Sequence, residues 1–220
     1  MNTGLVTEMA NRLRAVGVPP DFGPDRSRLL VQTYRALAKG RPLTADQVNE
    51  VTTDLGIDQE DAEGFLREVT ERDADDNIIG VIGLSLNENW VHRFYVNGAS
   101  LRNWCAWDSL FIAPLLKQTV TIESDSPETK ENVRVIVGKA GFEQSDPADA
   151  VVTVVALDPK KHDVSSLEAV WGVFCHQVYF FASRDEAERW AASREDIEIL
   201  TVEEAYELGK QAFSELNSYA

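Results

Sequence analysis

The sequence predicts an α+β protein, with a helical, winged-helix-like domain over residues 1–85 and a catalytic mixed core of small β-sheets flanked by helices over residues 86–220. Three observations predict it. Helical spacing and cap residues fill the first 72 residues. The period then changes to that of strands after the acidic turn Asp73-Ala74-Asp75-Asp76-Asn77. Beyond residue 87, strand-like runs and capped helices mingle without the regular βα alternation of a parallel sheet.

The elements follow in order. Residues 1–20 hold a short helix ending near Gly17, ahead of Val18-Pro19-Pro20. A second helix covers 24–38, with Leu29, Leu30, Thr33, Tyr34 and Leu37 near helical spacing and Gly40 as its stop. Thr44 and Gln47 make a capping box for a helix to Leu55, which Gly56 ends. Asp58 caps the next, and Ala62, Phe65, Leu66 and Val69 share its apolar side. The run 78–86 reads as strand. Helices, a helix–turn–helix, an acidic turn and a strand make the order of a winged helix. The strand 92–96 turns at Asn97-Gly98, and Ser100 is expected to cap a helix reaching Leu116. Strands are expected at 119–124, 133–137, 150–157 and, rich in aromatics, at 170–181. Ser183 with Glu186 and Thr201 with Glu204 open helices near 184–193 and 202–216.

Composition excludes several classes of function. The 220 residues, 44% hydrophobic, supply a sizeable core. No apolar run approaches a membrane span of about 18–20 residues, and the first residues lack the apolar stretch of a signal peptide. A cytoplasmic protein without a membrane partner is expected. With 37 acidic against 21 basic residues the net charge is −16, which repels phosphate backbones and argues against nucleic acid. The expected recognition helix sharpens the point. Six acids (Asp58, Glu60, Asp61, Glu63, Glu68, Glu71) stand against Arg67 and Arg72 there, a net of −4, so the module is expected to serve packing. The two cysteines and three histidines lack the spacing of a structural zinc site, and a cytosolic cysteine pair is expected to be reduced.

The chemistry gathers around those two cysteines. In Trp104-Cys105-Ala106-Trp107-Asp108, Cys105 and Asp108 are three apart and share a face if helical. The field at a helix start favours a thiolate modestly, and Asp108 can accept the thiol proton. Strand alternation across Phe174-Cys175-His176 sends Cys175 and His176 to opposite faces. Two buried cysteines need no function, since free cysteine is among the most buried residue types. A carboxylate on the apolar face that carries Cys105 is costly, however, and points to a role. His92 reads as a surface or packing residue.

The stretch 97–116, with its Trp-Cys-Ala-x-Asp pattern followed by a hydroxyl residue and Leu, resembles the active-site helix of the organomercurial (alkylmercury) lyases. Phe174-Cys175 with Phe180-Phe181-Ala182-Ser183 resembles that family's second cysteine segment, and residues 201–209 its C-terminal helix. The family's helical N-terminal domain, not used for DNA, is similar to residues 1–85. The chain departs from the pattern at Ser126, where many members carry a further cysteine, at Trp107, bulkier than the usual aliphatic residue, and at His176-Gln177.

The resemblance implies a lyase that splits a carbon–mercury bond by protonolysis. Cys105, Asp108 and Cys175 would be catalytic and would hold the Hg(II) product, while Trp104 and Phe174 would line the pocket for the organic group. Thiolates are natural ligands of a soft metal. One cysteine would replace the leaving ligand on mercury, the second would raise its coordination, and Asp108 would pass a thiol proton to carbon. No organic cofactor and no metal beyond the substrate's own is implied. External cytosolic thiols would remove the product, and mercuric reductase would receive it. Two other readings compete. A non-enzymatic thiol-based heavy-metal binding or sensor protein would use the winged-helix-like region as its output. A cysteine hydrolase would need a histidine base beside its nucleophile, and His176 is expected to face away.

Overall fold

The computed structural model describes residues 2–163 and 165–220. Four helices come first: α1 (Thr3–Ala15), α2 (Gly23–Leu37), α3 (Ala45–Leu55) and α4 (Gln59–Val69). Their starts follow the expected chemistry. Thr44 and Gln47 form the reciprocal capping box of α3, and the Asp58 carboxylate accepts from the Glu60 and Asp61 amides at α4. Gly56 ends α3 in the left-handed region at φ 67°, where a side chain would be strained.

The chain then enters strands β1 (Thr70–Arg72), β2 (Ile78–Val81), β3 (Leu84–Ser85), β4 (His92–Val96) and β5 (Ala99–Asn103). After helix α5 (Ala106–Leu116) come β6 (Val120–Asp125), β7 (Asn132–Gly138), β8 (Gly141–Asp146) and β9 (Val151–Val155). The last part holds α6 (Leu167–Val173), a 3₁₀ turn (Cys175–Gln177), β10 (Phe180–Phe181), α7 (Arg184–Ala191), β11 (Ile197–Thr201), α8 (Val202–Ala212) and α9 (Ser214–Ser218).

Among the described residues the strands form two antiparallel sheets, one of eight strands in the order β1-β2-β3-β5-β4-β6-β7-β8 and one of three in the order β10-β9-β11. The fold is therefore mixed α+β, as expected. The larger sheet crosses residue 85 through the pairing of β3 with β5, Leu84 opposite Asn103. Helix α5 lies at the centre. Every one of its residues except Pro114 is buried, which is how a helix apolar all round must sit. It packs against α2, α8 and α9 and touches strands of both sheets.

Three expectations are corrected. Ser100 lies in β5 and caps nothing; the following helix starts at Ala106, with Cys105 as its cap residue in extended backbone. The hairpin explains this, because β5 pairs with β4 along its whole length and Ser100 faces Tyr95 there. Residues 170–181 are not one strand. Only Phe180–Phe181 pair with β9, and the preceding stretch is helix and 3₁₀ turn. Aromatic and β-branched residues have strand propensity, but packing overrides it where Trp171 and Phe174 must turn toward a cavity. Strands β8 and β11 are further elements that the sequence reading does not place; β8 is polar, with Glu143, Gln144, Ser145 and Asp146, and β11 is a short run directly before the Thr201 cap.

Candidate active site

The two cysteine segments are stitched together by backbone. The Ala106 N–H, first in α5, donates to the Val178 carbonyl at 3.1 Å, and Val178 directly follows the 3₁₀ turn that carries Cys175. That turn is held by the Gln177 amide on the Phe174 carbonyl at 2.9 Å and by the Thr153 hydroxyl on the Gln177 carbonyl at 2.8 Å. On the other side, the Trp104 N–H and the Asn103 side-chain amide both donate to the Gly83 carbonyl, at 3.2 and 2.8 Å.

This scaffold brings Cys105, Asp108 and Cys175 together. Their sulfur and carboxylate atoms all lie within 4.8 Å of one another. Both thiols are free. The Cys105 N–H donates to Asp108 Oδ2 at 3.0 Å, so the carboxylate doubles as helix cap. Cys105 is fully buried, Asp108 nearly so, and Cys175 half-buried. Gly83, at φ 80°, presses on the carboxylate: a Cβ there would lie 2.6 Å from Asp108 Cγ.

Burial governs the protons. It raises Asp108 to about 7, against the pull of the Cys105 thiol and amide toward the ionised form. Burial, the Cys175 contact and the Asp108 charge push Cys105 well above the usual thiol range. For Cys175, the hydrogen bond with Cys105 pulls down, but burial and the Asp108 charge outweigh it and leave the thiol raised. The expected pull of the helix start toward thiolate is thus overcome at Cys105. The resting centre holds two neutral thiols and an acid poised between its two forms near neutral pH.

A cavity of about 270 Å³ opens onto Asp108 and Cys175, while Cys105 lies behind them. Trp104 and Phe174 are among the residues that line it. Sequence reasoning missed Trp107, Phe111, Trp171 and Phe213 as further walls, and Tyr34 and Ile82 beside the acid. A signal existed for part of this: 104, 107, 108 and 111 have the spacing of one helix face. Trp107 donates to the Ala205 carbonyl at 3.0 Å, and Phe111 stacks on Phe213 at 3.9 Å between centroids. Residues 16–20 and Phe22, between α1 and α2, also line it, with Leu30, Ser165 and Ser166.

The histidines stand apart. His176 is exposed against Trp171, with ring centroids 4.5 Å apart. His92 is buried with its Nδ1 at 2.8 Å from the Ser124 hydroxyl, and burial and the neighbouring Arg93 charge lower it to about 3. It is a packing residue, not a base.

Two soft thiols and one acid under an aromatic cavity, on an antiparallel α+β frame, define a cysteine-based centre suited to a soft metal with an organic group attached. The comparisons with known proteins agree. The alkylmercury lyase (MerB) family model matches residues 84–214. An alkylmercury lyase of Bacillus cereus is 30% identical over 207 residues, covering 93% of this chain and 89% of that protein. The alkylmercury lyase of Streptomyces lividans is 33% identical over 203 residues, covering 92% and 90%, and that of Pseudomonas putida 31% over 204 residues, covering 92% and 89%. A crystal structure of the mercury-bound form of MerB2 shares the fold with a TM-score of 0.71 at 23% identity, over 96% of this chain and 99% of that one. The chain belongs to the alkylmercury lyase family.

Proposed function

We propose that this lyase family member cleaves carbon–mercury bonds by protonolysis, releasing a hydrocarbon and Hg(II), and that Cys105, Asp108 and Cys175 carry the reaction. The observation behind the roles is the mutual approach of three ligand atoms within 4.8 Å, a span one mercury atom can bridge.

Cys175 meets the substrate first, since it reaches the cavity while Cys105 is buried behind it. Its sulfur replaces the ligand trans to carbon on R–Hg, and the thiol proton moves to Asp108. Cys105 then binds the same mercury, and its own proton leaves with the displaced ligand. The added thiolate density weakens the Hg–C bond, and protonated Asp108 delivers its proton to carbon as the Hg–C electron pair becomes the new C–H bond. An acid held near 7 serves both transfers, because neither form is far from the working pH. Hg(II) remains on the two sulfurs beside the Asp108 carboxylate until external thiols take it, with mercuric reductase as its eventual acceptor. Release of benzene from phenylmercury in the presence of excess thiol tests the proposal. A protein that binds phenylmercury and yields no benzene would point to a thiol metal-binding or sensor protein.

We further propose that residues 1–85 are a winged-helix-like domain that packs and does not read DNA. The bridge between Leu43 and Ile78 supports this, because it adds a short pairing to the β1–β2 hairpin behind α3 and α4. The net −4 over Asp58 to Arg72 supports the second half. Salt-sensitive, sub-micromolar duplex binding in a fluorescence titration would contradict it. Among the described residues no helix is long and apolar enough to cross a membrane, in keeping with the cytoplasmic location we propose.

A further inference from the structure

Glu71 is a carboxylate without a cation. Among the described residues, no lysine, arginine or histidine nitrogen lies within 4.0 Å of it. Its neighbour Arg72 turns instead to Glu63 at 3.2 Å and Asp76 at 3.3 Å. Both Glu71 oxygens go to neutral donors beside the active site. Oε1 accepts from the Trp104 indole N–H at 2.5 Å, and Oε2 accepts from the Ser85 hydroxyl at 2.9 Å. Ser85 Oγ in turn accepts from the Asn87 amide at 3.0 Å, so each proton in the chain has one place.

The sheet is built around this contact. Glu71 faces Gly80, and Gly80 faces Ser85, across β1, β2 and β3. The carboxylate crosses the bare Gly80 to reach its partners. A Cβ at position 80 would lie 2.8 Å from Glu71 Cδ and 3.0 Å from Ser85 Oγ. A half-buried carboxylate without a counter-charge is costly to keep, and a charge-assisted bond to an indole is strong and directional. Trp104 has its backbone fixed by Gly83, and among the described residues its side chain has no polar tether besides Glu71. The ring lies tilted against Trp90 at 5.9 Å between centroids, Trp90 meets Trp171 edge to face at 6.0 Å, and both Trp104 and Trp171 line the cavity.

We propose that Glu71 is a positioning residue that locks the Trp104 indole as a flat wall of the organic-group pocket, and that this wall makes the site select planar aryl groups on mercury. The inference rests on the lyase reading for its substrate and on the Glu71–Trp104 bond for its geometry. A phenyl ring gains from a fixed flat wall along its whole face, whereas a methyl group touches little of it. Losing the lock therefore weakens phenylmercury binding more than methylmercury binding.

The test has a spectroscopic arm and a kinetic arm. In the parent, the indole N–H resonance that disappears in Trp104→Phe should be slow to exchange with solvent, and Glu71→Leu should make it fast. Rapid exchange of that proton in the parent would overturn the proposal, and this arm needs only the parent and the assignment variant if Glu71→Leu does not fold. In steady state, Glu71→Leu should raise KM for phenylmercury about tenfold while kcat and the methylmercury KM stay within about threefold. Glu71→Gln keeps an acceptor oxygen and should bring the phenylmercury KM back to within about threefold of the parent. Equal effects on both substrates, or no rescue by Gln, would overturn it. A parent that releases hydrocarbon from neither substrate would sink the lyase reading instead, and the exchange arm would still decide whether Glu71 holds Trp104.

Discussion

The Cys105 amide donates to the Asp108 carboxylate at 3.0 Å, so the thiol-bearing residue and the acid are two ends of one helix cap. The acid cannot swing away without uncapping α5. Its far side rests on Gly83, whose missing side chain is what lets the carboxylate sit there: a Cβ at 83 would lie 2.6 Å from Cγ and 2.9 Å from Oδ1.

Gly83→Ala should therefore displace Asp108 while sparing the two thiols. The residue also sits at φ 80°, so alanine adds backbone strain on the order of 1 kcal/mol or more. The expected result is a lower melting temperature and at least a roughly tenfold loss of turnover, consistent with misplaced acid–base groups. Hg(II) retention should persist. Unfolding curves and hydrocarbon release measured on one preparation check this, and parental turnover in the variant would contradict it.

Asp108 also shapes the pH dependence of stability. Burial raises it from 3.8 in the unfolded chain to about 7 in the folded one. Between those values the folded state keeps a proton that the unfolded state has released. Its contribution to stability is full below 3.8 and is lost as pH rises through about 7. Asp108→Asn removes this titration, so the variant should gain on the parent steadily from about pH 4 to pH 8. His92 acts in the opposite sense, from 6.5 down to about 3, but is present in both proteins and cancels in the difference. Urea midpoints of both proteins across this range decide it; a difference that does not change with pH would contradict the burial argument.

The two thiols differ in access. Cys175 lines the cavity and Cys105 is 0% exposed behind it. A bulky aromatic disulfide reagent should label the native parent at Cys175 at least about tenfold faster than at Cys105. Cys175→Ser should lose the fast phase, and Cys105→Ser should keep it. Peptide mapping after timed labelling would show this, and a fast phase surviving in Cys175→Ser would contradict the proposed order of attack.

Much of the frame was legible because it depends on local chemistry. Thr44 with Gln47, Asp58, and Thr201 with Glu204 cap helices where the sequence places them, and Asn97-Gly98 turns the hairpin at left-handed φ values of 49° and 80°. The site triad was legible through its pattern, Cys105 three residues before Asp108, and through a resemblance that covers nearly the whole chain. What escaped depends on contacts distant in sequence. Ser100 has a cap residue's chemistry, but cross-strand pairing with Tyr95 claims it. The aromatic run around Cys175 has strand propensity, but the cavity bends it into a 3₁₀ turn. Tyr34, 74 residues before Asp108 in the sequence, comes beside the acid because α2 packs on α5, with its hydroxyl donating to the Ile82 carbonyl at 2.7 Å. No periodicity encodes such a meeting.

The central claim is that Asp108 supplies the proton that frees the hydrocarbon, and single-turnover release of benzene from phenylmercury measures that step directly. Run on the parent and on Asp108→Asn, with mercury retained on each protein measured in parallel, it separates binding from cleavage. The account predicts equal retention within a few-fold and benzene release slowed at least about 100-fold in the variant, the lower bound for a general acid–base group. An Asp108→Asn protein that releases benzene within a few-fold of the parent would show that the proton comes from elsewhere, and the assignment of Asp108 would be wrong.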